Sequence, residues 1–209
     1  MLTWAGASTA VLWLATVGMM IVKAPGTVTT FYRIQAIAEA GLGAVMAISG
    51  HLPILWVTVG LTVLIRVIAI PRIVNHGITS PNTHYSAKAP MGMGALLIYA
   101  LFCTIGGLLV GELGLPRPVV AGMIFASMFV SFVHLSSRYE AWSMLWALLS
   151  LDTIVDAGVL VFAPTLPELT DLGLIGISLA LAVVLAFVAR QIQALKNSLD
   201  VRELEELIG

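Results

Sequence analysis

Charge is what this sequence has least of. Asp, Glu, Lys and Arg make up 10% of its 209 residues, where soluble globular domains carry about 25%. So few charges cannot solvate the outside of a water-soluble fold, and an apolar fraction of 59% with a mean hydropathy of +1.03 asks for a hydrocarbon solvent. The net charge of -1 leaves no general basic surface for nucleic acid. The single cysteine, Cys103, lies in an apolar run, so neither an internal disulfide nor a thiolate metal site has a second sulfur to use. Also lacking are a Gly-rich phosphate loop, a cluster with metal-ligand spacing, and a nucleophile with a base beside it. An enzyme with its active site outside a membrane is thereby excluded, and any functional residue is to be sought inside the apolar segments.

Apolar segments are what the chain does have. Taking about 20 residues per crossing, the boundaries set by charges and Pro/Gly clusters predict an all-α polytopic membrane protein of about seven transmembrane helices. These cover 2–22, 33–50, 53–71, 91–111, 118–136, 142–163 and 171–191, followed by a polar tail over 192–209. The first segment has no positive charge near Met1 and no cleavage context, so it reads as a retained helix. Lys23, Arg33, Arg72, Lys88, Arg138, Arg190, Lys196 and Arg202 fall on one side of the resulting topology, against Arg117 on the other. That asymmetry puts the N-terminus outside and the C-terminus in the cytoplasm. The stripe Val201, Leu204, Leu207 in the tail predicts a short amphipathic helix, and its acidic polar face suits a partner protein better than anionic lipid.

Two acids, Asp152 and Asp156, stand four residues apart in the sixth segment, on one helical face. An acid at the centre of a membrane helix costs roughly 2.5–3.5 kcal/mol on insertion scales, so the pair demands compensation. Two readings are open: proton handling, because neighbouring acids share protons, or neutral carboxyls that glue helices together. The register places Asp152 near the midplane and Asp156 closer to the outer surface. Glu39 follows Arg33 by six residues and Arg66 precedes Arg72 by six, so both are expected roughly 9 Å in from the cytoplasmic face at matching depth. They read as a buried ion pair on a charge path, as a purely structural pair, or as a snorkelling Arg66 beside a protonated Glu39. Gln35, one turn from Glu39, is placed to hydrogen-bond it. His134, near the cytoplasmic end of the fifth segment, reads either as a proton relay or as a neutral interfacial histidine.

Phe31-Tyr32-Arg33-Ile34-Gln35, Arg66 five residues before Pro71, Ser136-Ser137-Arg138, Pro167-Glu168-Leu169, Val188-Ala189-Arg190 and Leu199-Asp200-Val201 occur in order along the chain. In this order the sequence resembles hydrogenase-4 component E, the membrane subunit of formate hydrogenlyase-type complexes, over essentially its full length. The last three segments also resemble the three-helix subunit K of respiratory complex I. That family's membrane-embedded glutamate falls on Asp152, within Leu151-Asp152-Thr153-Ile154-Val155-Asp156-Ala157. The resemblance implies a division into a four-helix part over 1–117, a subunit K-like part over 118–191 and the tail. It further implies a non-catalytic subunit in the cytoplasmic membrane of a prokaryote, without a cofactor of its own. Partners would be antiporter-like and other membrane-arm subunits, together with soluble hydrogenase-like subunits carrying nickel-iron and iron-sulfur centres. One departure stands out: relatives usually carry an acid in the last helix, whereas Ile175-Gly176-Ile177-Ser178-Leu179-Ala180 has no charge, which leaves Asp156 as the candidate substitute.

Overall fold

Long apolar runs become helices here, because a chain in hydrocarbon must satisfy its backbone polar groups within itself. The structure, a computed structural model, describes residues 2–78, 92–138, 140–163 and 168–196. It comprises α1 (Leu2–Ile21), α2 (Pro25–Gly50), α3 (Leu55–Thr62), a π-helical segment (Val63–Ala69), α4 (Ile70–Ile78), α5 (Met93–Gly111), α6 (Pro118–Ser136), α7 (Ala141–Phe162) and α8 (Glu168–Lys196). No strand occurs among the described residues. Since α3, the π segment and α4 run on as one rod, seven helical units are long and apolar enough to cross a membrane. The expected tail helix and the polar stretch after residue 78 lie outside the described residues.

Short connections join α1 to α2, α2 to α3, α5 to α6 and α6 to α7. Pro25 and Pro118 each occupy a first helical turn, where a missing N–H costs nothing. His51 ends α2 in the left-handed region, φ 52°, and hands its N–H to the Ala47 carbonyl. The α5–α6 connection turns through Gly114, φ 88°, and Arg117, φ 58°. At the opposite end Arg138 donates from Nη2 to the Met20 carbonyl at 2.8 Å, covering an open carbonyl at the C-terminus of α1. Burial pushes the Arg138 guanidinium below its ordinary pKa, Glu140 opposing, but an arginine stays charged throughout.

The spans differ from expectation at their edges. The second begins at Pro25 rather than at 33: Val28, Thr29 and Tyr32 are buried in the core, while Arg33 stands exposed on the helix flank. The third continues through Pro71 to Ile78, since a proline entering just after the π segment meets a backbone ladder already opened there. These shifts move the depth of the charged residues.

α7 is the central helix, with two thirds of its span buried against 17% for the peripheral α5. It packs on α2, α6 and α8. Two apolar layers result. One, toward the end of the bundle where α1 finishes and α7 begins, contains Tyr32, Ile70, Trp142, Trp146 and Ala186. The other, toward the end where α2 finishes and α3 begins, contains Leu42, Met46, Leu55, Ile154 and Leu160. Both layers draw residues from each side of position 117. α5 meets α6 through glycines: a Cβ on Gly107 would stand 2.5 Å from the Ala126 Cα, so only glycine permits this approach.

Candidate functional site

Between the two apolar layers sits a cluster of charge. Arg66, inside the π-helical segment and with no solvent exposure, donates from Nη1 to Glu39 Oε1 at 2.6 Å. Its Nη2 faces three oxygens: Asp152 Oδ2 at 2.9 Å, Ser178 Oγ at 2.7 Å and Asp156 Oδ2 in a shorter contact. The Ser178 hydroxyl in turn donates either to Asp152 Oδ2 at 2.6 Å or back to the Leu174 carbonyl at 3.0 Å. Four elements thus converge on one guanidinium. A π-helical turn is widened and is found preferentially at functional sites; here it carries Arg66.

The geometry revises the expected depths. Glu39 and Arg66 do not form a separate pair near one membrane face. With α2 starting at Pro25 and the third span running through α4, each lies close to the middle of its span, Gly26–Gly50 and Leu55–His76. Asp152 is likewise central in Ala141–Phe162. One cluster, buried except at Asp152, whose side chain is 20% exposed, therefore replaces two sites at different depths. Burial also rules out a snorkelling Arg66, whose side chain reaches neither solvent nor the outside of the bundle.

Gln35 behaves differently from expectation too. Although one turn from Glu39, its Nε2 donates to Thr16 Oγ1 at 3.0 Å and Ser150 Oγ at 2.9 Å. Glu39 Oε1 is already engaged by Arg66, and the two hydroxyls offer better-placed acceptors. The Ser150 hydroxyl also meets Ser131 Oγ at 3.1 Å, so a polar strip links α1, α2, α6 and α7 beside the cluster. Tyr32 and Trp146 pack at a centroid distance of 5.0 Å, and the cluster has this fully buried aromatic pair on the side of the Trp142 layer.

His134 is buried at the end of α6, with Nε2 3.4 Å from Ser143 Oγ. No hydrogen bond or ion pair among the described residues joins it to the Arg66 cluster. Its neighbourhood is the α6–α7 turn, where Ser137 bonds its carbonyl.

Ser178 is the cluster member that sequence reasoning passed over. Ile175–Ala180 stood out in the sequence only for lacking an acid, yet Ser178 places a hydroxyl between Arg66 and Asp152. The signal was a lone hydroxyl in an otherwise apolar turn. Thr58 and Thr62 were passed over for the same reason; with Arg66 they form an i, i+4, i+8 ladder leading from the start of α3 into the cluster.

No three His, Cys, Asp or Glu side chains among the described residues are arranged to hold a metal ion. The chemistry that the arrangement can perform is charge exchange. The NH2 group at Nη2 has two hydrogens, and three oxygens stand ready to accept them. At most two can be served well at once, so the cluster has more than one bonding pattern within the same packing. Three carboxyls against one guanidinium also carry an excess of two negative charges when all are ionised, a state that buried surroundings oppose unless protons are held. No protein-family model, curated protein or solved structure matches the chain.

Proposed function

We propose that this chain is a membrane subunit of a complex I-related, membrane-bound nickel-iron hydrogenase or hydrogenlyase-type assembly, in which the Arg66 cluster passes protons. The observation that carries the proton role is the shared guanidinium: Asp152, Asp156 and Ser178 compete for Nη2 while Nη1 holds Glu39. A proton arriving on Asp156 neutralises it and weakens its claim on Nη2. The guanidinium then turns its hydrogens to Asp152 and Ser178. When the proton moves on, Asp156 recaptures Nη2. The exchange needs only side-chain rotation within a fixed bundle.

The hydrogenase-type assignment is supported by the resemblance carried by Phe31 to Gln35, Arg66 to Pro71, the Asp152 segment and Leu199-Asp200-Val201. On this reading the chain lies in the cytoplasmic membrane of a prokaryote, N-terminus outside. It joins antiporter-like subunits to the rest of a membrane arm, while soluble partners hold the nickel-iron and iron-sulfur centres. This subunit is non-catalytic and carries no cofactor.

Asp152→Asn in the native complex, purified and reconstituted in vesicles, tests the reading. Proton translocation coupled to turnover is expected to be lost while the complex remains assembled. Full translocation with the variant leaves only a scaffold role for this chain. A stand-alone transporter, which typically has an internal repeat around a midplane site, would purify without partner subunits; mass spectrometry of the native preparation separates that case.

A further inference from the structure

The cluster is not symmetric toward the two ends of the bundle. On the side of the Trp142 layer it meets the buried Tyr32–Trp146 pair. On the other side there is a cavity of about 10 Å³ between α2, α3, α7 and α8, lined by Glu39, Asp156, Thr58, Thr62, Leu160 and Ile175. That volume approaches the ~10–15 Å³ that one water molecule requires. Glu39, Asp156, Thr58 and Thr62 are polar residues of its lining, so such a water has polar groups to reach. Thr58 is in the first turn of α3, and Leu160 is near the end of α7, so the cavity reaches from the cluster toward the bundle end formed by Gly50, Leu55 and Phe162.

One atom points to what occupies it. Glu39 is 2% exposed, its Oε1 is held by Arg66, and its Oε2 has no hydrogen-bond partner in the protein. A buried carboxyl oxygen left without a partner is costly unless water or a proton serves it. The cavity supplies the space for the water.

We infer that Glu39 has a proton route of its own, separate from that of the α7 acids: it exchanges its proton with the Gly50/Leu55 end of the bundle through one water in this cavity and the Thr62 and Thr58 hydroxyls. The step is a proton transfer along hydrogen bonds. Water gives a proton to Glu39 Oε2 and regains one from the Thr62 hydroxyl, Thr62 regains one from Thr58, and Thr58 from solvent at the Gly50/Leu55 end; Glu39 gains the one proton that enters and each relaying oxygen ends with its original complement. Glu39 bonds Arg66 of the π segment directly, Asp152 and Asp156 on α7 and Ser178 on α8 bond the other end of the same guanidinium, and Tyr32 on α2 lies within electrostatic reach. Protonated Glu39 loosens Nη1, and Arg66 becomes free to favour the α7 acids.

This inference rests on the proton-handling reading but fails separately from it. The test is deuteration of protonated carboxyl bands by infrared spectroscopy, on the full chain in lipid nanodiscs after mixing with D2O. Glu39→Gln and Asp152→Asn assign the two bands. Thr62→Val, nearly isosteric but without the hydroxyl, is expected to slow exchange of the Glu39 band about tenfold, the rate equivalent of ~1.4 kcal/mol. The Asp152 rate should stay within about a factor of two, well inside the ~1.4 kcal/mol that a tenfold change represents. Ile175→Ala, which enlarges the cavity, should exchange Glu39 at least as fast as the unaltered protein. An unchanged Glu39 rate in Thr62→Val, equal slowing of both bands, or the absence of any Glu39 band overturns the inference. An Asp152→Asn variant that still translocates protons in the assembled complex removes the proton-handling reading instead.

Discussion

Removing Arg66 should show how strongly the cluster depends on its one shared guanidinium. In Arg66→Met the side chain keeps an unbranched apolar stem but becomes shorter and loses its charge and all its donors. The structure gives Arg66 a bond to Glu39 and two hydrogens for the three oxygens at Nη2. Charge-assisted hydrogen bonds contribute ~1.5–3 kcal/mol each, so three made at one time represent a gross ~5–9 kcal/mol. The carboxyls left behind can take up protons and so limit the damage; breaking a buried ion pair by removing one partner costs ~3–5 kcal/mol net, and we expect a loss in that range. Unfolding by sodium dodecyl sulfate from mixed micelles, followed by tryptophan fluorescence, measures it. The companion variant Glu39→Gln and the double variant complete a cycle. Because the two side chains touch, the double variant should be less damaged than the sum of the singles by ~1–3 kcal/mol. Strict additivity, or a cost for Arg66→Met below ~1 kcal/mol, would refute the view that charge compensation holds α2, the π segment and α7 together.

Two further outcomes follow from the packing. Gly107→Val forces its branched side chain into the Ala126 backbone and should separate α5 from α6, costing at least the ~1–3 kcal/mol of an overpacked contact; the same detergent titration reads it, and Gly106→Val, whose nearest neighbour is Phe129 at 3.9 Å, should cost clearly less. Arg138→Met uncovers the Met20 carbonyl and should destabilise by ~1–3 kcal/mol, seen as faster amide hydrogen exchange at the C-terminal turn of α1.

Much of the bundle was legible from apolar run lengths, because hydrocarbon leaves a spanning chain so few conformations. The residues of the cluster were legible as well, since Glu39, Arg66, Asp152 and Asp156 are costly where they stand. Their meeting was not. Charges at Lys23 and Arg33 were read as marking a membrane edge, but an arginine exposed on a helix flank does not end the helix, and α2 begins before it. That error of two turns set Glu39 too shallow, and the unrecognised continuation past Pro71 did the same to Arg66. Ser178, Thr62 and Ser150 escaped because a hydroxyl in an apolar helix usually satisfies itself on the preceding turn, as Thr9, Thr16 and Thr153 do here. Only the packing decides which of them turns outward to a neighbour.

The central placement of Glu39, Arg66 and Asp152 in their spans has an electrical consequence. A charge carried across the whole membrane works against ~2.3 kcal/mol per 100 mV, so a proton reaching the middle from either face crosses about half of that drop. Occupancy of such a site is set by voltage as well as by proton concentration. If the cluster takes up protons as proposed, then at ~1 kcal/mol per 100 mV a membrane potential would alter its loading by roughly fivefold without any change in pH on either side. On the proposed proton-handling reading, the register that stacks these side chains at one depth would make their protonation respond to the field across the membrane.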